Sequence, residues 1–456
     1  MRPASVLTIL VVAGATAVYF APVPEGLTQE TMHAAALVLL TVGLWAIGVL
    51  PEHIVGLLFF TLAMILAVAP AAVVFSGFAS NTLWLVLGGL VIAQGVQRTG
   101  LARHIAGALF ERFMHSYVQL IVAMVALSIV LSFLMPATVA RILLLVPIAA
   151  GLSERVGFER ESTGHYGLLL TAMMASYQCG TTVLTANAPN LVLAGSAEAL
   201  YQIQITYAEY LWVQFPVLGL IKGSAIVLFI CWLFPAKVPR VDSRREQTRL
   251  SPEQRRMMAI LIVALALWAT DFLHGIKAGW IAMAAALVCL MPRVGVMPTA
   301  AFAEARLGTY FYVAATLGLG LVTQTTGLSE LLGRMTQTAL PLEHGADFLN
   351  FIKLSVFSTF AAMLTTNPAQ PAVLGPLAQH FAETTGWPLK AALMTFGVGY
   401  STFLLPYQVP PVIVGMQVAG VRLGRMLRLS VPLAIFGIVL ILPLQYWWWR
   451  AIGYFG

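Results

Sequence analysis

Apolar runs of about twenty residues, the length that crosses a bilayer, recur along the whole chain and are separated by short polar joints. They predict spanning helices at about 4–21, 32–50, 52–70, 81–97, 209–234, 257–274, 278–292, 307–324 and 429–449. Four further apolar segments do not fit that scheme. Residues 116–152 and 348–380 have polar, proline-containing centres, "PATVAR" and "TTNPAQP". Residues 165–197 and 390–421 are span-like but interrupted by "TANAPN" and "LPYQVPP". Non-helical backbone at membrane depth survives only inside protein or beside a water-filled cavity. The first pair is therefore read as re-entrant hairpins and the second pair as broken helices.

The awkward segments are paired, which points to an internal repeat. "TGLARHIA" at 99–106 matches "TGLSELLG" at 326–333, and the runs before them align without gaps. "PATVARILLLVPIA" at 136–149 lines up with "TTNPAQPAVLGPLA" at 365–378, through Pro147 and Pro376. Ala188-Pro189-Asn190 then meets Pro410-Pro411-Val412. The charge rule gives the orientation. With a cytoplasmic N-terminus, Arg98, Arg103, Arg112, Arg155, Arg160, the 236–256 loop, Arg422, Arg425 and Arg428 fall inside. One hairpin then opens inward and the other outward, so the halves are expected to be inverted. The predicted organisation is an N-terminal helix in 1–31, a first repeat in 32–235, a basic cytoplasmic loop in 236–256, a second repeat in 257–428 and a C-terminal helix in 429–456. The expected fold class is an all-α polytopic membrane protein, located in a bacterial inner membrane.

Composition agrees, since 59% hydrophobic and 9% charged residues fit neither a soluble domain nor a disordered chain. The first run is read as a spanning helix rather than a signal peptide, because its basic flank is only Arg2 and no A-x-A-like site follows. The net charge of +7 resides in loops, so it implies lipid contact and no nucleic acid. Cys179, Cys231 and Cys289 lack metal-like spacing. No GxxxxGK[ST], no HExxH and no paired membrane carboxylates occur, which argues against ATP drive, an intramembrane enzyme and a resident cofactor. Inverted repeats whose hairpin tips and helix breaks meet near the midplane form the plan of a secondary transporter. Alternating access is then expected, with a channel or non-transporting receptor of the same fold as the alternative.

At these residues the chain resembles the divalent anion/sodium symporter family, over roughly 30–425. That family has a Ser-Asn-Thr motif at each hairpin tip, ten residues before a proline. The matching positions are Ala137-Thr138-Val139 and Thr366-Asn367-Pro368. Its broken helices carry Pro-Pro-Asn and Leu-Pro-x-x-Thr-Pro-Pro-Asn, matched by Ala188-Pro189-Asn190 and by "LPYQVPPV", with Val409 and Val412 at the Thr and Asn positions. The resemblance implies a homodimer, a small anionic substrate and asparagines that frame sodium sites. The first half keeps Asn190 but has Thr138 at the tip, and the second keeps Asn367 but has Val412 opposite. Neither half has both amides. Residual sodium contacts would fall to Thr182, Asn190 and Asn367, and sodium coupling does not carry over with the fold. An ordinary sodium-coupled dicarboxylate symporter stays open as the alternative.

The candidate substrate-binding residues are Thr138, Arg141, Asn187, Asn190, Thr366, Asn367, Gln370 and Gln408. Arg141 stands out, since a charge at that depth costs a few kcal/mol unless it faces a cavity or a partner. It is either a fixed positive charge for an anion or a cap on the hairpin's carbonyls. Asn187 and Asn190 flank a turn proline, which turn chemistry alone also explains. Glu52 and His53 are read as interfacial. Lys222, inside a span, has no account from sequence.

Overall fold

A computed structural model of the chain describes residues 3–113, 115–135, 137–239, 249–305 and 307–456. The middle of the basic loop and the side chain of Arg112 lie outside the described residues. Among the described residues every regular element is a helix. Helix starts follow the sequence's own caps. Ser80, Ser116, Ser162, Thr206 and Ser251 each accept a hydrogen bond from a backbone amide in the first turn, a contact worth about 1 kcal/mol. Two ends share one device. Gly100 closes the helix Asn81–Thr99 with φ +68°, and Gly327 follows Gly308–Thr325 with φ +73°. Both are the glycine of a TGL motif, and both turn the chain into a shorter helix, Leu101–Phe113 or Leu328–Ala339. The first turn is a bend of 61°.

The distribution of side chains is inverted relative to a water-soluble protein. Leu364 is 79% exposed and Trp232 69%, while Arg141, Lys222, Asn190, Asn367 and Gln408 are buried. Lipid accepts the apolar exterior, and the polar groups must find partners within the protein. Among the described residues, five helices are long and apolar enough to cross a membrane alone, Gln29–Ile47, Tyr117–Leu134, Tyr207–Leu233, Asp347–Leu364 and Leu423–Ala451. The chain is an integral membrane protein. The span expected at 52–70 ends earlier, at Ile65. Ala67 is left-handed (φ 49°) and Pro70 starts a new short helix, Ala71–Val74. Tyr207–Leu233 carries a π-helical stretch at Phe215–Ile221, and Leu423–Ala451 another at Gly437–Ile441.

The first hairpin is Tyr117–Leu134 and Thr138–Arg155. The second is Asp347–Leu364, then Gln370–Leu374, a 3-10 turn and Ala378–Thr385, with its tip at 365–369. The second tip is buried, and Met135 at the first tip is fully enclosed, like Asn367 and Ala369 at the second. The first broken helix is Thr163–Gln178 and Ala188–Tyr201, and the second is Leu389–Tyr400 and Pro410–Ala419. The linking segments 179–187 and 401–409 contain 3-10 turns. Small residues let the other helices approach. A Cβ on Gly88 would lie 2.6 Å from the Ala282 backbone, so Asn81–Thr99 and Ala278–Leu290 are in direct backbone contact there, as small-residue membrane interfaces allow.

Candidate functional site

Each broken helix contributes two opposed half-helix ends. The C-terminal end of a half-helix carries free carbonyls and a negative partial charge, and the N-terminal end carries the positive one. The positive ends face a common space. A cavity of about 740 Å³ is lined by Ala137–Ala140 at the start of the first hairpin's second arm and by Asn187–Pro189 and Val409–Pro411 at the starts of the two downstream half-helices. Pro368 of the second hairpin tip completes that wall. Both tips and both breaks therefore converge on one cavity. Gln94, Gln97, Tyr312 and Glu52 line the same cavity. Arg98, Arg103 and Glu304 form the exposed rim, where Arg98 is ion-paired with Glu304.

The predicted residues divide into two layers. Thr138 and Asn187 line the cavity and are hydrogen-bonded to each other. Asn187 also donates to the Tyr177 carbonyl at 3.3 Å. Arg141 lies behind them, fully buried. Its guanidinium donates to the carbonyls of Met135 (2.5 Å), Ala186 (2.9 Å) and Ser176 (2.9 Å), and to the Thr138 hydroxyl at 3.2 Å. It thus ties the hairpin tip to both sides of the first break. Asn190 spans the same break from below, donating to Gly180 and Val183 carbonyls at 3.1 and 2.8 Å. Thr182 donates to the Cys179 carbonyl at 2.7 Å.

In the second half, Asn367 donates to the Tyr177 hydroxyl at 2.5 Å and to the Tyr400 carbonyl at 2.8 Å. Its own amide donates to the Gln408 carbonyl at 2.8 Å. Tyr177 in turn donates to the Tyr400 carbonyl at 2.9 Å, so one tyrosine joins the first broken helix to the second break. Gln408 turns to its own loop, accepting from the Leu404 and Leu405 amides at 2.9 Å. Gln370 donates to Ser358 at 2.7 Å, bracing the two hairpin arms. The Thr366 carbonyl accepts the Ala369 and Gln370 amides at 3.1 and 3.0 Å.

Sequence reasoning passed over several lining groups. Tyr177 sits in the apolar run before the first break, with no local mark of its role. Gln94 and Gln97 carried a signal, two amides three residues apart inside a span. Glu52, read as interfacial, lines the cavity, because the helix it begins packs against Gly308–Thr325. Lys222 proves to be fully buried, with its ammonium on Ser401 and Thr402 of the second break.

The chain is 25% identical over 474 residues to a membrane protein of Cupriavidus necator, an alignment covering 97% of this chain and 92% of that protein. It is 23% identical over 360 residues to the L-tartrate/succinate antiporter of Escherichia coli strain UTI89, covering 74% and 72% of the two chains. The YdaH transporter of Alcanivorax borkumensis has the same fold at a TM-score of 0.57 with 13% identity, covering 94% of this chain and 99% of that one. The model of one family, the sodium:sulfate symporter transmembrane region, matches residues 4–455. By sequence across nearly its whole length, the chain belongs to that family of transporters.

Proposed function

We propose that the protein is a secondary active transporter of small anions, of the dicarboxylate, sulfate or sulfonate class, working by alternating access. The observation that carries this reading is the wall of the cavity, where three helix N-termini from both halves converge. Their dipoles favour an anion without requiring a dissolved cation beside it. Thr138 and Asn187 supply the polar contacts, and Arg141 supplies a permanent positive charge one layer behind them. Asn190, Asn367, Thr366, Gln370 and Gln408 hold the tips and breaks in register around the site. The relative that is an L-tartrate/succinate antiporter supports a carboxylate-bearing substrate.

The two hairpins and two broken helices form inverted repeats on this reading. The bundle bearing them moves against a scaffold of early spans that also forms a homodimer. The basic rim at Arg98 and Arg103 faces the cytoplasm of a bacterial cell, so the cavity is inward-facing, with the N-terminus on the same side. Purified protein in proteoliposomes, tested with labelled succinate, tartrate, sulfate and a sulfonate, checks the proposal. Saturable uptake with accelerated counterflow is expected for at least one of them. Uptake that is never saturable and shows no counterflow would make the protein a channel instead.

A further inference from the structure

The family's description names sodium, so the two breaks must be compared with what sodium requires. A bound sodium ion needs several oxygens converging on one point, and transporters of this plan take them from unwound carbonyls and half-helix C-terminal ends. Around the first break the carbonyls of Tyr177, Gly180 and Val183 accept from Asn187 and Asn190. The carbonyls of Met135, Ser176 and Ala186 and the hydroxyl of Thr138 are four more oxygens of this kind. All four already accept from the guanidinium of Arg141. At the second break the half-helix Leu389–Tyr400 ends on the carbonyls of Tyr400 and Ser401. Tyr400 is taken by Asn367 and Tyr177. Ser401 accepts from Lys222 Nζ at 2.6 Å, and the same ammonium reaches the hydroxyls of Ser401 and Thr402 at 3.3 and 3.0 Å. At each break a tethered cation therefore already holds carbonyl and hydroxyl oxygens, and the side-chain oxygens of Asn190 and Asn367 are left as the buried acceptors without a partner among the described residues.

The two basic groups come from different places. Arg141 belongs to the first hairpin itself. Lys222 lies 179 residues before Ser401 and reaches it from the long helix Tyr207–Leu233. That helix rests on the first hairpin and first broken helix, since Gly223 faces Val125, Ile129 and Cys179. Both side chains are fully buried, and neither has a carboxylate partner among the described residues. Buried charges without such partners are costly. Each is held by neutral oxygens and by the negative end of a half-helix, worth about half a charge. With both groups protonated, the transport domain therefore keeps a positive excess whenever its anion is absent.

We propose that Lys222 is a covalently tethered cation that fills the second break as Arg141 fills the first, and that the protein is in consequence a sodium-independent, obligate anion exchanger. The inference rests on the anion-transport reading above. A symporter discards its cations with its substrate, so its empty form can return. Tethered cations cannot leave. Moving the uncompensated positive excess across the low-dielectric barrier is opposed by desolvation. Only the anion-loaded form crosses readily, and each anion carried in requires one carried out.

The test uses the full-length protein in proteoliposomes preloaded with the best substrate of the panel. Wild-type exchange is expected to be unchanged when sodium is replaced by choline, with no efflux into anion-free medium. Lys222→Ala is expected to slow exchange in choline by about tenfold or more, as befits buried acceptors deprived of a charged donor. Sodium should restore much of that loss, and Lys222→Arg should remain sodium-independent. Radioactive sodium binding to purified protein gives a second readout, with saturable binding expected in Lys222→Ala and none in wild type. Sodium-dependent wild-type exchange, saturable sodium binding by wild type, or full exchange by folded Lys222→Ala in choline would each overturn the proposal. If Lys222→Ala fails to fold, the wild-type sodium-binding and efflux measurements still decide it. If no anion is exchanged at all, the transport reading fails, while sodium binding separately judges the role of Lys222.

Discussion

Arg141 and Gly180 are fitted to one another. A Cβ at position 180 would overlap Nη2 of the guanidinium, so the first break has room for the arginine only because that residue is glycine. Gly180→Ala is expected to displace the side chain from Ser176 and Ala186 and to lower both exchange rate and thermal midpoint. Arg141→Lys keeps the charge but loses the planar fork. With fewer of the four acceptors reached, each lost charged hydrogen bond costs about 1.5–3 kcal/mol. The variant should melt earlier and exchange at least about tenfold more slowly, read by thermal unfolding and counterflow on one preparation. Arg141 was legible in the sequence as an anomaly, a charge four residues after Ala137, the first residue of a predicted tip. Its partners were not, because the carbonyl of Ser176 has no sequence signature. Lys222 was visible as a charge in a span, but the chain pattern holds no clue to which of two breaks it would reach.

The helices were legible because lipid imposes a length and the caps impose ends. The breaks were legible because proline and asparagine occur where apolar residues otherwise run on. Span 52–70 was misjudged at its end, since the apolar composition continues past the left-handed Ala67 and only the backbone turns. The TGL motifs are the clearest case of a sequence match with a physical cause. Gly100 and Gly327 both need positive φ, where any other common residue is strained. Gly100→Ala is expected to cost about 1 kcal/mol and to loosen the 61° bend between Asn81–Thr99 and the helix that follows. A lower thermal midpoint, with an equal or raised one for Gly107→Ala, whose added methyl meets open space inside a helix where alanine is favoured, would check it. An unchanged midpoint for both would remove the argument from backbone conformation.

At the scale of the molecule, the cavity joins what the chain separates, and its rim gives a direction that labelling can read. Val139 lines the cavity and is 37% exposed. In a background with the three native cysteines replaced, Val139→Cys is expected to react with a membrane-impermeant maleimide in inside-out vesicles. Intact cells should protect it, and saturating substrate should slow the reaction in vesicles. Rapid labelling from outside the cell, undiminished by substrate, would reverse the proposed orientation. The sequence made the convergence of tips and breaks readable through paired prolines. It did not reveal the rest of the lining, where Glu52, Gln94 and Tyr312 come together only through helix packing.

The π-helical stretch at Phe215–Ile221 has a consequence for how the second cation is set. Such a stretch is a helix holding surplus residues for its turns. Lys222 follows it immediately, so the direction of that side chain depends on chain length as well as on residue identity. Deleting the lipid-exposed Leu220 removes no partner of the ammonium. In a regular α-helix the loss would shift every later residue by about 100° around the axis and 1.5 Å along it, but here the stretch gives up its surplus and closes to an α-helix. The lysine then stays on Ser401 and Thr402. The deletion is expected to keep exchange in choline near the wild-type rate, and further deletions, once the surplus is spent, should reproduce the sodium-restorable loss of Lys222→Ala. The cation at the second break is thus set by chain length, which insertion and deletion probe and substitution scanning never samples.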